Sequence, residues 1–494
     1  MSRFPHIVGS AMVAAVLAAG MTGCDAPKVE RAAEVQRFQS TLQGRTEALK
    51  LAPGAVLSVK DCEDIALKNN LSLAVQGLAL RLSDDQVRLA FTGALPHFSA
   101  GYDFSRRSNS SAISFGGQTV EMQDRTSQNA SISATIPILD YGISFYAWQN
   151  AKDQQSQQTL LLVRAGQELR RDVRIAYARH AGALRQVKLS EINVQAAERI
   201  MEVGESMEKT ALATHAEVAV LRATLAQTRA DLTVARRKVD ETRLSMILLM
   251  SLAPETDLAI ESALPKLPAP PTGSEIAALE DHALLVRPEL HVQDLQRHIS
   301  ANTARQEFAS FFPRIDANGS LNWSSSSTAV NPTYFLYGFQ IASALLNGGA
   351  QIFRYDAAGK TEDVEEERAL LVSLGVMFDV NLRALRLQRD RETIGALEAQ
   401  EAARQKAFEE ILSLYKAGLE TEAGTAKALA DLNIQSLGVD RAQTDYLVTW
   451  YEFQDATLAD VPVPGTTPPA ASQPSTTLSP TAQPVEATGP EKGK

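Results

Sequence analysis

The segment Leu95-Pro96-His97-Phe98-Ser99-Ala100-Gly101-Tyr102-Asp103-Phe104-Ser105 decides how this chain folds. After the proline the side chains alternate: Phe98, Ala100, Tyr102 and Phe104 share one face, and His97, Ser99, Asp103 and Ser105 share the other. A period of two marks a β-strand with one apolar and one polar side. Ser127 to Pro137 repeats the pattern, setting Ala130, Ile132, Ala134 and Ile136 against Asn129, Ser131, Ser133 and Thr135. Far downstream, Ile315, Ala317, Leu321 and Trp323 oppose Asp316, Asn318, Ser320 and Asn322, and Phe335, Tyr337, Phe339 and Ile341 form the apolar face of another strand. These strands are placed at 97–107, 127–137, 314–324 and 333–343. Each is near the length of a membrane-spanning barrel strand, with an aromatic-rich outer face and a polar inner one.

A small soluble sheet with one wet face fits any one of these strands alone. The set argues for a barrel, because the remainder of the chain reads as helical and offers no fifth partner. An open sheet edge in hydrocarbon leaves backbone groups unsatisfied, at several kcal/mol each. Closed barrels need about eight strands or more. The pattern therefore demands more than one copy, and physics alone permits about eight strands from a dimer or about twelve from a trimer.

Working outward, the chain is one unit written twice. Ala66-Leu67, Leu73, Phe91 and Pro96 recur as Ala283-Leu284, Leu290, Phe308 and Pro313, always 217 residues later. Beyond the prolines the offset becomes 207, carrying Leu139 to Leu346, Asp172-Val173 to Asp379-Val380, Leu212 to Leu419 and Thr214 to Thr421. The difference falls between the two strands of each half, as a loop ten residues shorter in the second copy. Each half reads as a helix, two strands and a very long helical hairpin, over 58–253 and 274–458, with the hairpins at 140–250 and 349–456 and a linker at 254–273.

No proline interrupts the chain between Pro137 and Pro254 or between Pro332 and Pro462, which favours uninterrupted helix. Val218, Leu221, Leu225, Thr228, Leu232, Ala235 and Val239 step by three and four, and the shifted set Thr425, Ala428, Leu432, Gln435, Val439, Ala442 and Tyr446 repeats the stripe more weakly. The opposite face carries charges of both signs, Arg229, Asp231, Arg236, Arg237 and Glu241, as a solvated or lumen-facing surface does. An arm from Tyr141 to Lys209 would rise roughly 100 Å, too far for a compact domain.

The two ends differ from this middle. Arg3, the apolar run Ile7 to Ala19 and the small residues before Cys24 read as an export signal over 1–23, too short to span a bilayer. Met21-Thr22-Gly23-Cys24 resembles the lipobox of bacterial lipoproteins, which makes Cys24 the acylated first residue of the mature chain and 24–57 a lipidated linker. Asp25 resembles an inner-membrane retention signal. Cys62, the other cysteine, then has no disulfide partner and reads as a small buried hydrophobe. Residues 459–494, rich in Pro and Thr, read as a disordered tail. With 494 residues, 45% of them hydrophobic, and a net charge of −10, the chain can bury a large interior and lacks the basic surface that nucleic acid binding needs.

Together these features resemble the TolC-like outer membrane efflux proteins across Ser58 to Ala456, and the lipobox resembles that of their lipoprotein branch. The fold class this implies is mainly α with a small β part: long antiparallel hairpins forming a periplasmic α-barrel, and four strands per chain contributing to a twelve-stranded trimeric transmembrane β-barrel. It implies a homotrimer among outer membrane lipids, a periplasmic adaptor at the hairpin tips and an inner-membrane pump, with the chain as a passive exit duct. At those tips the family pattern resembles Tyr-x-x-Gly-x-x-Thr/Ser followed by an acid before Val. The second tip keeps Tyr415, Gly418 and Thr421 but has Gly424 at the acid; the first has Ala211 for the glycine and keeps Thr214 and Glu217. These residues are the expected adaptor contacts. Glu420 and Glu422 are expected to supply the acidic aperture ring that Gly424 does not, and three copies of them would favour cations.

The competing class is a periplasmic coiled-coil scaffold or adaptor, which the helices alone would fit. Catalysis finds no support in the residues. His6, His97, His180, His215, His282, His291 and His298 show no metal-ligand spacing with Cys or carboxylates, and there is no phosphate loop or nucleophile elbow. No cofactor is expected. The acidic run Glu362, Asp363, Glu365, Glu366 and Glu367 suits a helix start, and Asp379 reads as structural.

Overall fold

The computed structural model describes residues 30–49, 56–109, 111–326, 329–342 and 348–462. The export signal, Cys24, Asp25 and the tail beyond 462 lie outside them. The chain runs α1 (Arg31–Ala48), β1 (Val56–Leu57), α2 (Val59–Asn69), α3 (Leu71–Thr92), β2 (His97–Arg106), β3 (Ser111–Phe115), β4 (Gln118–Gln123), β5 (Thr126–Leu139), α4 (Ile143–Lys209) and α5 (His215–Leu249). After β6 (Ala259–Ile260) the order returns as α6 (Gly273–Val286), α7 (Pro288–Ala309), β7 (Arg314–Ser324), β8 (Thr333–Ala342), α8 (Gly348–Lys416) and α9 (Glu422–Thr457).

The leading helix expected in each half is two helices. Pro288 forbids the helical conformation to Arg287, which is extended at ψ 125° and starts α7. Asn70 breaks the first copy at the same place without a proline: it is also extended, and its side chain accepts from the Leu73 N–H at 2.9 Å, capping α3. The supposed linkers carry structure too. The stretch 24–57 contains α1 and β1, and β1 pairs in parallel with β6 from the inter-repeat segment. The variable loop of the first copy holds the β3–β4 hairpin, which joins no other strand.

The membrane-type strands form a four-stranded antiparallel sheet in the order β2-β5-β7-β8. Its register sorts the side chains. Phe98 faces Ala134, Tyr102 faces Ala130, Ile132 faces Leu321, and Ala317 faces Phe339, so the apolar faces of all the strands fall on one side. On the other side Ser99 and Ser133 hydroxyls meet at 2.6 Å, and Thr135 donates to Asn318 Oδ1 at 2.9 Å. β5 continues two residues beyond the expected end at Pro137. A bulge before Leu139 absorbs the proline, which cannot donate to a ladder.

The helices continue this sheet as a second curved layer. Near the strands the neighbours are α3, α4, α7 and α8; farther away they are α5, α4, α9 and α8. α4 and α8, of 67 and 69 residues, each rise roughly 100 Å. In both hairpins the heptad stripe is the covered one: Val218 is buried, as are Leu432, Val439 and Tyr446, and the remaining stripe positions are half-buried. No described helix is long and apolar enough to cross a membrane.

Two small cores lie at repeat-equivalent positions. Ala66, Leu169, Val173 and Met246 pack in the first; Ala283, Val376, Val380 and Phe453, their counterparts, pack in the second. The inter-repeat segment covers both, with Leu258 and Ile260 in the first core and the Pro268 carbonyl accepting from the Tyr446 hydroxyl at 2.7 Å. Cys62 is fully buried in the first, and burial pushes its thiol up to about 12, so it is inert packing.

His180 is a buried titratable group of the first hairpin. The Thr242 hydroxyl reaches the carbonyls of Lys238 and Val239, so it accepts from His180 Nδ1–H at 2.9 Å. Burial, with the nearby Arg243 charge, lowers its pKa from 6.5 to about 4. The unfolded chain therefore binds a proton that the fold refuses. Stability is expected to fall as pH drops from 6.5 towards about 4. His180→Gln should flatten that part of a pH-against-Tm curve, and an unchanged slope would contradict the assignment.

Candidate functional site

The functional surface is built from the two faces of the sheet and the hairpin tips. The sheet's apolar face is bare, with Phe98, Tyr337 and Phe339 each at least three-quarters exposed. Its polar face carries Ser, Thr, Asn and Gln bonded to one another, including Asn318 donating to Gln340 at 3.4 Å. Among the described residues each outer strand has an unpaired edge. β2 and β7 run one way and β5 and β8 the other, so the two open edges, β2 and β8, run in opposite directions. The helix layer is bare at the matching borders, at Leu78, Leu82 and Leu89 of α3 and at Leu371, Leu374 and Phe378 of α8. A second copy placed head-to-tail would bring the unlike edges together as an antiparallel pair, a heterologous contact that closes into a ring.

The tips repeat each other at an offset of 207 residues, down to the backbone. Ala211 takes φ +58° where its counterpart Gly418 takes +74°, and Ser251 (+50°) matches Leu458 (+47°) at the helix ends. After the left-handed residue, Leu212 N–H donates to the Met207 carbonyl at 2.8 Å, as Leu419 N–H does to Leu414 at 2.9 Å. Both leucines are about three-quarters exposed at the extreme end. A side chain in this conformation is strained. Gly418→Ala is expected to loosen the second tip by about 1 kcal/mol, and Ala211→Gly to tighten the first by less. Hydrogen exchange of the tip amides reads both, and unchanged protection would refute the strain.

The acids of the tips cap helices. At the first, Glu217 Oε2 accepts from the Thr214 N–H at 2.7 Å and hydroxyl at 2.9 Å, and these bonds hold its carboxyl below the usual range. At the second, Gly424 stands where Glu217 does, and Glu420 folds back so that Oε1 accepts from the Thr421 N–H at 2.8 Å. A Cβ at Gly424 would run into that carboxylate, so the missing acid makes room for its replacement. Thr421 completes the cap by accepting from Gly424 N–H at 3.0 Å. Glu422 pairs with Arg199 Nε of α4 at 3.3 Å. Arg199 gave no signal in the sequence, since only the antiparallel packing of α9 on α4 brings it to the second tip. At the first tip His215 sits against Glu208.

Between the tips, α5 and α9 rise on either side of α4 and leave a groove of about 1260 Å³. Ala197, Gly204 and Met207 form its floor, and Val218, Gly424 and Lys427 line its walls. A Cβ at Gly204 would run into the Leu221 Cδ1 of α5, so the glycine lets α5 pack there without moving that leucine. Tyr415 lies outside the groove, half a turn before the tip, and remains exposed. Among the described residues no group of three or more His, Cys, Asp or Glu is placed to hold a metal ion.

Comparison with known proteins is consistent with this geometry. The sequence model of the outer membrane efflux protein family matches residues 64–251 and 279–452, which is both repeats. A solved structure of CusC is similar at TM-score 0.69 and 16% identity, covering 81% of this chain and 91% of that one. The CmeC outer membrane channel of Campylobacter jejuni is similar at 0.69 and 14%, covering 81% and 85%. The open-state MtrE outer membrane channel of Neisseria gonorrhoeae is similar at 0.66 and 18%, covering 81% and 88%. No curated protein sequence matches. The structural likenesses establish a shared fold, and the family match runs over both halves of it. The chain belongs to the outer membrane efflux protein family.

Proposed function

We propose that the chain is the outer membrane exit duct of a tripartite efflux or export system, acting as a homotrimer anchored through Cys24. The observation that carries this reading is the pair of open, oppositely directed edges, β2 and β8, on a sheet with one bare apolar face and one polar face. Two copies would give a barrel of about eight strands, whose interior side chains fill it; three give about twelve and leave a wet lumen. The polar faces then line the lumen and the bare faces meet lipid. The family resemblance supplies the partners: a periplasmic adaptor, received at the tips and in the groove, and an inner-membrane pump. Ala211, Thr214, Glu217, Tyr415, Gly418 and Thr421 are the proposed contact region, where the two exposed leucines offer apolar anchors. A free scaffold would have no use for bare aromatic strands.

Glu420 and Glu422 remain the proposed aperture ring, now with Arg199 as a counter-charge on Glu422. In planar bilayers the purified protein is expected to conduct with a cation preference. Glu420→Gln with Glu422→Gln should reduce that preference and Arg199→Gln should raise it. Absence of conductance would refute the duct; conductance with selectivity unmoved in both variants would refute the ring alone.

A further inference from the structure

Inside one chain the two repeats meet where α4 lies against α7, and that joint is polar. Asn150 Nδ2 donates to Thr303 Oγ1 at 3.3 Å, His298 Nδ1 lies 2.6 Å from Asp153 Oδ2, Gln157 Nε2 donates to Gln296 Oε1 at 3.2 Å, and Arg164 pairs with Glu289 at 2.8 Å. α3 and α7 each have 22 residues and stand 217 apart, while α4 and α8 end 207 apart, at Lys209 and Lys416. Moving the joint on by one repeat therefore sets α8 against α3. Where β8 of one copy meets β2 of another, as the ring requires, that α3 belongs to the next copy.

The shifted positions are apolar where several of the originals are polar. Gln157 becomes Val364 and Arg164 becomes Leu371, and facing them Val292 and Gln296 become Val75 and Ala79. Val364, Leu371 and Val75 are each more than half exposed in the single chain. Along α8, Val364, Leu371 and Phe378 recur every seven residues; along α3, Leu71, Val75, Leu78 and Leu82 step by four and three. Both are coiled-coil spacings, and bare apolar stripes of this kind mark a contact surface. The charged pair of the inner joint changes as well. Asp153 and His298 become Lys360 and Arg81, two like charges, and α8 supplies an acid for each: Lys360 Nζ lies 2.6 Å from Asp356, and Asp363 is exposed three residues farther on.

Resting on the ring proposed above, we propose that α8 of each copy and α3 of the next form an antiparallel apolar seam in the register of the α4–α7 joint, with Arg81 received by Asp363. The inner joint satisfies its own polar groups, whereas the seam leaves valine and leucine bare until a second copy covers them. Each chain is thereby committed to assembly below the membrane as well as within it. The acidic run on α8 serves to fix which turn of α3 lies against which turn of α8, because a slipped pairing would set Arg81 beside Lys360 without its acid.

The test uses the full-length protein in detergent, with Gln86→Cys and Ala357→Cys in one chain, the shifted equivalents of Thr303 and Asn150, both at exposed positions. Oxidation is expected to join most chains in a ladder that ends at three. Gln86→Cys with Val364→Cys, displaced by seven residues or about 10 Å along α8, should give less than about a tenth of that yield. Arg81→Glu is expected to lower the temperature at which the trimer dissociates in SDS, and Asp363→Arg in the same chain to restore it. Equal yields from the two cysteine pairs, a higher yield from the displaced pair, or no recovery with Asp363→Arg would overturn the register. Cysteines on β2 and β8 of the same protein serve as the reference. If the strands crosslink and Gln86→Cys with Ala357→Cys does not, the seam is wrong and the ring stands; if neither crosslinks, the ring fails and the seam with it.

Discussion

Replacing Arg164 by methionine is expected to cost about 3–5 kcal/mol, among the largest single losses available in this fold. Arg164 is nine-tenths buried where the two repeats meet, and it grips Asp455 of α9 with two bonds of 2.9 Å. Its Nε lies 2.8 Å from Glu289 of α7, an ion pair at an angle that makes no hydrogen bond. The pairs run on: Arg171 to Asp455 at 3.0 Å, Arg287 to Glu289 at 3.1 Å and to Asp379 at 3.2 Å, and Arg383 to Asp379 at 2.7 Å and to Glu452 at 2.9 Å. Methionine keeps much of the volume and removes the charge, leaving Asp455 buried with Arg171 alone. A Tm measured on the purified protein should fall by many degrees, whereas Arg389→Met, which breaks an exposed pair with Glu392, should cost at most about 1 kcal/mol. Equal effects of the two would contradict the account. Burial opposes the charged forms of Asp379 and Glu289, yet their arginine partners hold both carboxyls below the ordinary range. The network's contribution is therefore complete above the unfolded carboxylate range and is lost as pH falls through the lowered values.

The second large effect concerns the sheet. Tyr337→Arg on β8 puts a charge on the bare apolar face, at a cost of about 2–4 kcal/mol per chain in a bilayer midplane. Leu336→Arg, one residue away, faces Ser320 on the polar side. The first variant is expected to be missing from the membrane fraction and the second to insert normally. If both insert, or if the second fails and the first does not, the faces are assigned wrongly.

Much of this could be read in the residues. Period-two alternation gave the four strands of the sheet to within two residues, because a strand with one apolar face and one polar face cannot hide its pattern. The repeat carried further than its matched letters. Ala66 and Ala283, or Val173 and Val380, fill equivalent core positions, and Ser251 and Leu458 share a left-handed backbone although their side chains have nothing in common. What escaped was set by three-dimensional company. Asn70 breaks a helix with no proline to announce it. The β3–β4 hairpin did carry a signal, Gly116-Gly117 between the alternating Ile113, Phe115 and Val120, Met122, but it lies in the stretch that the repeat does not match. Glu420 became a capping acid only because Gly424 leaves the space, and Arg199 meets Glu422 only because α9 packs on α4. The buried ion network is drawn from four helices, and its charges look like solvated ones in the sequence.

A closed duct requires the β2 edge of one copy to meet the β8 edge of the next. Single cysteines placed along the polar face of β2, at Ser99, Gly101 and Asp103, and along that of β8, at Leu336 and Gly338, should crosslink on oxidation only when one of each is present in the same chain. The covalent ladder should then end at three chains. Crosslinks between two copies of β2, or a purified protein in which neither strand finds a neighbour, would contradict it.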